Sequence, residues 1–131
     1  FKQNYAFQSG GSISLDNVDY IQIAHSMFTK NTAVYDSGGV ISITTCYSIS
    51  IKSHCIFLNN RAKTSGGILY AHHVGHISIK NIQCSKNSAK NGGCFYLVES
   101  RAAENYNSSF KLNKAKRSGG VLCRMAVKLH L

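Results

Sequence analysis

The stretch Phe28-Thr29-Lys30-Asn31-Thr32-Ala33-Val34-Tyr35-Asp36-Ser37-Gly38-Gly39-Val40-Ile41 decides the fold, because the chain keeps returning to it. Its opening element recurs as Phe1-Asn4-Ala6, Phe57-Asn60-Ala62, Cys84-Asn87-Ala89 and Phe110-Asn113-Ala115. A glycine pair follows each time, at Gly10/Gly11, Gly66/Gly67, Gly92/Gly93 and Gly119/Gly120. Successive copies start 27, 29, 27 and 26 residues apart. A fixed period of roughly 20 to 50 residues marks a solenoid, in which each unit buries its apolar face only against its neighbours. Five copies fill residues 1–131 and leave no room for a second domain.

Between these marks apolar and polar residues alternate, as in Ile13-Ser14-Leu15, Ile21-Gln22-Ile23, Ile41-Ser42-Ile43, Ile49-Ser50-Ile51 and Ile77-Ser78-Ile79. Period two and β-branched enrichment mean strand, and no window sustains the spacing of an amphipathic helix. Each repeat holds three short runs: one after the glycines, one near Ile21 to Ile23, and one leading into Phe-x-x-Asn. The reading is all-β: a parallel β-helix of about five coils with three short strands each. Like residues then stack as ladders about 4.8 Å apart. Phe1, Phe28, Phe57 and Phe110 form an internal aromatic stack, and Cys84 takes that place in one coil and loosens the layer. The Asn ladder sits at a turn, with its amides bonding the next coil. Alanine keeps the bend tight, and the glycines allow a corner where a Cβ would clash.

The pairing of Gly38-Gly39-Val40-Ile41, Gly66-Gly67-Ile68-Leu69 and Gly119-Gly120-Val121-Leu122 with Phe-x-x-Asn resembles the repeat of chlamydial polymorphic outer-membrane proteins. Similar repeats occur in large surface proteins of ciliates and other protists. The resemblance covers nearly the whole chain and implies a right-handed, pectin-lyase-like β-helix displayed on a cell surface as an adhesive or structural element. Cys84 in the Phe position and Cys94-Phe95 after Gly93 depart from that pattern.

The chain starts inside the motif at Phe1 and ends just after the fifth glycine pair. Uncapped solenoid ends expose unpaired backbone groups, so the expectation is a segment of a longer protein or a subunit stacking end to end. No run approaches the roughly 18 apolar residues of a membrane span. Cys46, Cys55, Cys84, Cys94 and Cys123 occupy different phases of the repeat, which predicts mostly buried reduced thiols.

The formal charge is +10, and residues 37–98 contain no Asp or Glu. Basic residues gather around the Phe-x-x-Asn-x-Ala turn: Lys30, Arg61, Lys63, Lys86, Lys90, Lys114, Lys116 and Arg117. Stacking turns these into a cationic stripe suited to an acidic or sulfated polysaccharide. Alternatively, the same lysines simply solvate the turns and discourage lateral pairing. Nucleic acid is less supported, since the phenylalanines carry the phase of the core instead of alternating with the cations.

Asp16, Asp19, Asp36, Glu99 and Glu104 are the only acids. Glycoside hydrolysis needs two carboxylates about 5 to 9.5 Å apart. Asp16 and Asp19 read as turn residues, so no catalytic residue and no cofactor is assigned. His72, His73 and His76 imitate a metal cluster, but consecutive strand side chains face opposite ways, so His72 and His73 converge only if the segment is a loop. No acid lies near them in sequence, and no metal site is assigned. Asn107-Ser108-Ser109 is the one N-x-[ST] sequon, in a segment from Glu99 to Ser109 expected to bulge, and Asn107 is a candidate glycan acceptor if the chain is secreted. The first functional expectation is an extracellular structural or adhesive module, with possible end-to-end association. The second is polyanion binding, and a carbohydrate-active enzyme ranks third.

Overall fold

The computed structural model describes residues 1–100 and 102–125. The chain forms a right-handed parallel β-helix of about four turns, one fewer than the count of motifs suggests, because the fifth motif opens a coil that the described residues do not complete. The first turn carries β1 (Tyr5–Ala6), β2 (Ile13–Ala24) and β3 (Met27–Thr29). The second carries β4 (Thr32–Ala33), β5 (Ile41–Lys52) and β6 (Cys55–Leu58). The third carries β7 (Arg61–Ala62), β8 (Leu69–Lys80) and β9 (Ile82–Ser85). Then follow β10 (Ser88–Asn91), β11 (Phe95–Val98), β12 (Ala102–Tyr106), β13 (Ser109–Lys111), β14 (Lys114–Ser118) and β15 (Leu122–Met125). All pairings are parallel and build three sheets: β2-β5-β8-β11-β15 with β12 also on β8, β3-β6-β9-β13, and β1-β4-β7-β10-β14.

This division differs from the expected one. The two runs after each of the first three glycine pairs are one 12-residue strand, bent in the middle, and the Asn-x-Ala segment expected to be only a turn is a strand of its own sheet. Left-handed backbone makes the bends. Asn17, Thr45, His73 and Glu99 stack at one corner, with φ between 48° and 60°. His25, Ser53, Asn81 and Asn107 mark a second corner, and Gln3, Lys30, Asn59, Lys86 and Leu112 a third. Such φ values are costly for residues with a Cβ, so the hydrogen-bonded stacking must hold them. The fourth corner is the glycine pair. Gly38 has φ +70°, while a Cβ on Gly39 would lie 2.2 Å from the Gly67 carbonyl and 2.7 Å from the Arg61 backbone. The corner therefore packs backbone to backbone against the third sheet. The segment after Glu99, expected to bulge, instead runs in register along β8 from Ala102↔His76 to Tyr106↔Lys80.

The ladders fall where the repeat puts them. Phe1 stacks on Phe28 at 4.8 Å between ring centroids, and Phe28 on Phe57 at 5.1 Å. Cys84 follows in register between Phe57 and Phe110. The expected loosening of that layer is offset from across the core. In the same coil Phe95 stands where neighbouring coils have Leu69 and Leu122, and its ring meets Phe110 edge-on at 5.8 Å. Aromatic volume moves from one wall to the opposite one, keeping the layer near native packing density. Cys46, Cys55, Cys84 and Cys94 are buried and free, as their phases predict; the side chain of Cys123 lies outside the described residues.

Asn31, Asn60 and Asn87 are fully buried. Each Oδ1 accepts both the backbone N–H and a side-chain amide hydrogen of the Asn one coil earlier. Each Nδ2 also donates to the carbonyl of the Phe position one coil back, as in Asn60 to Phe28 at 3.0 Å. Asn113 continues the chain of bonds to Cys84 O at 3.0 Å. A buried amide has two donors and two acceptor lone pairs, and in this ladder all four are used.

Candidate functional site

The third sheet has an inner face closed by the glycine corner and an outer face open to solvent. Along its strands the alanines point inward: Ala33, Ala62 and Ala89 form a buried cluster of their own, separate from the main core. Period two then sends the residues on either side of each alanine outward. One outward row is Tyr5, Thr32, Arg61, Ser88 and Lys114, in register from coil to coil. The other is Val34, Lys63, Lys90 and Lys116, each one residue after its alanine. Between the rows a groove of about 740 Å³ runs parallel to the solenoid axis, with the strand backbone at the alanines as its floor.

The groove collects five of the eight cations that the sequence groups together: Arg61, Lys63, Lys90, Lys114 and Lys116. None of the five is in an ion pair with a described residue, and among the described residues no carboxylate lines the groove. Unpaired like charges on strands about 4.8 Å apart sum to a positive potential along the axis. Lys30 and Lys86 stand apart, at the corner preceding the groove, where both have φ 55°. Arg117 is exposed on β14 but does not line the groove, because the pairing of β10 with β14 shifts register between Ala89 and Asn91. Asn107 is exposed at the second corner, and it ends a strand, not a bulge.

Sequence reasoning missed the aromatic end of this surface. Phe7 and Tyr35, 77% and 62% exposed, stack at 6.2 Å beside the first coils, and Lys63 Nζ lies 5.6 Å from the Tyr35 ring centre. Tyr5, 74% exposed, closes the same end. Each follows a motif Asn within four residues, but at a different offset (Tyr5 at one, Phe7 at three, Tyr35 at four), so the phase of the repeat carried no signal for them. The acids lie elsewhere. Asp36 accepts hydrogen bonds from Ser9, Ser37 and Thr64 at the glycine corner, and Asp16 and Asp19 flank the bend at Asn17 on β2. His76 stays in register with Ser48 and Ala102, whereas His72 and His73 come together at the bend.

Fold and groove define the class: a right-handed parallel β-helix repeat protein with a basic groove along its axis. Set against protein-family models, curated proteins and solved structures, the chain matches none of them.

Proposed function

We propose that this β-helix is an adhesive module whose groove holds a linear polyanion, an acidic or sulfated polysaccharide. The single observation behind this reading is the gathering of Arg61, Lys63, Lys90, Lys114 and Lys116, without carboxylate partners, around one groove parallel to the axis. A scattered solvating set would have no reason to share a groove. The rise per coil supports a chain-like ligand, since successive charges meet successive strands at about 4.8 Å. Exposed Tyr5, Phe7 and Tyr35 at one end add flat apolar faces on which sugar rings can stack. A cell-surface or extracellular setting accompanies this reading, as the motif resemblance implies. An enzymatic reading finds less support, because the described residues that line the groove include no carboxylate pair of the kind glycoside hydrolysis uses.

The test is calorimetric titration with a heparin-type sulfated oligosaccharide, and with a neutral glucan as control, at several salt concentrations. Binding to the sulfated chain alone is expected, with affinity falling steeply as salt rises. For a densely charged polyanion each neutralised charge contributes about 0.7 to 0.9 to the logarithmic salt slope, so replacing Lys90, Lys114 and Lys116 by Ser should lower it by roughly 2 to 3. An unchanged slope and affinity in that triple variant would overturn the assignment.

A further inference from the structure

At the bend where β8 turns from its first half to its second, His73 has φ 57°, and the left-handed step breaks the alternation that would otherwise send His72 and His73 to opposite faces. Their ring centroids are 4.0 Å apart. The next coil adds a carboxylate. Val98 of β11 pairs with His72, which sets Glu99 directly over His73, and Glu99 has the same left-handed backbone, with φ 49°. His73 Nε2 and Glu99 Oε2 are 2.9 Å apart, and one donor atom from each of His72, His73 and Glu99 lies within 4.8 Å of the others. Sequence proximity hides this third partner, which arrives through the 26-residue step of one coil.

We propose that His72, His73 and Glu99 bind a divalent transition-metal ion, with zinc the best fit. Two imidazoles and a carboxylate are the borderline donor set that suits zinc, nickel or copper better than calcium or magnesium, whose ligands are oxygens. Tetrahedral zinc with bonds of about 2.0 to 2.1 Å needs donor atoms about 3.4 Å apart, a spacing that small side-chain rotations reach from the observed one. The residues beside the bend are held in register between coils, His72 with Thr44 and Val98 and Val74 with Cys46, so little backbone ordering remains for the ion to impose. Side chains here are half exposed, 50% for His73 and 42% for Glu99, which opens a path for the ion and leaves at least one coordination position to water. The His73–Glu99 hydrogen bond that the ion replaces is an exposed one and contributes little by itself. The site stands apart from the groove, and its test is independent of polyanion binding.

Zinc is titrated calorimetrically into the full chain under a phosphine reductant, and cobalt serves as a spectroscopic probe. Expected is saturable binding of one ion per chain, weakened by about tenfold or more in both His73→Asn and Glu99→Gln. Asparagine tolerates left-handed backbone, so His73→Asn keeps the bend, and circular dichroism checks that the fold is intact. The paired rings of His25 and His54, 6.4 Å apart at another corner, provide the control: His25→Ala should leave binding unchanged. Three results would overturn the proposal: no saturable binding, full binding in the His73→Asn/Glu99→Gln double variant, or a thiolate charge-transfer band in the cobalt spectrum, which would assign the ion to the cysteines.

Discussion

Replacing Asn60 by Ala removes the centre of the asparagine ladder. The side chain makes four hydrogen bonds: Oδ1 accepts from Asn31 N and Asn31 Nδ2, both at 3.0 Å, while Nδ2 donates to Phe28 O and Asn87 Oδ1, also at 3.0 Å. At about 1 kcal/mol net per bond the loss is roughly 4 kcal/mol. The Asn31 N–H and one Asn31 amide hydrogen are then left buried without an acceptor, which adds about 1 to 2 kcal/mol. A total near 5 kcal/mol is comparable with the whole stability of a small domain, about 5 to 15 kcal/mol. Asn4 supplies the internal comparison. It is only half buried and its side chain gives one ladder bond, to Asn31 Oδ1 at 2.9 Å, an acceptor that also keeps the Asn4 N–H. Asn4→Ala should therefore cost about 1 kcal/mol. Urea unfolding followed by circular dichroism measures both. If Asn60→Ala costs no more than Asn4→Ala, the ladder is not a principal source of cohesion between coils.

Gly39→Ala should destabilise by about 3 kcal/mol, since its Cβ would strike the Gly67 carbonyl at 2.2 Å, whereas Gly120→Ala, whose nearest contact is 3.6 Å away, should change stability by less than about 0.5 kcal/mol; equal effects would contradict the backbone packing at this corner. Cys84→Phe and Phe95→Leu should each cost about 1 to 3 kcal/mol, but the double variant should recover at least about 1 kcal/mol of their sum, because it restores the aromatic to its usual wall. Simple additivity would sink the volume exchange. The neighbouring Cys94 thiol and burial both push the Cys84 pKa far above the ordinary 9.0. The unfolded thiol ionises above that value and the folded one does not, so its contribution is intact below about pH 9 and declines by about 1.4 kcal/mol per pH unit above it. The stability difference between the wild-type chain and Cys84→Ala should shrink accordingly between about pH 9.5 and 10.5, and a constant difference would show that the thiol ionises freely in the fold.

The ladders were legible because stacking repeats the same requirement in every coil. An aromatic fills the core, an amide satisfies itself on both neighbours, and glycine admits a close backbone, so the same letters return. The bends were not legible. Asn17, Thr45, His73 and Glu99 share one conformation without sharing a side-chain type, since the paired residues flanking the bend, such as Thr44 with His72 and Cys46 with Val74, impose the step on whatever residue stands there. The two runs after each glycine pair therefore looked like separate strands, and the rule of alternation misplaced His73. The basic stripe was visible as composition around the motif, but only the sheet division separates the groove cations from Lys30 and Lys86 at the corner. Phe95 looked like a departure from the pattern, and its compensation of Cys84 depends on packing across the coil, which linear phase does not encode.

Chemical-shift mapping by nuclear magnetic resonance tests the central claim most directly, with a sulfated oligosaccharide added to the labelled chain. Shifts are predicted along the groove, at the amides of Ala33, Ala62, Ala89 and Ala115 and at the side chains of Arg61, Lys63, Lys90, Lys114 and Lys116. Shifts centred instead on the corner of Lys30 and Lys86, or spread evenly over all lysines, would contradict a built groove and leave the cations as a solvated surface.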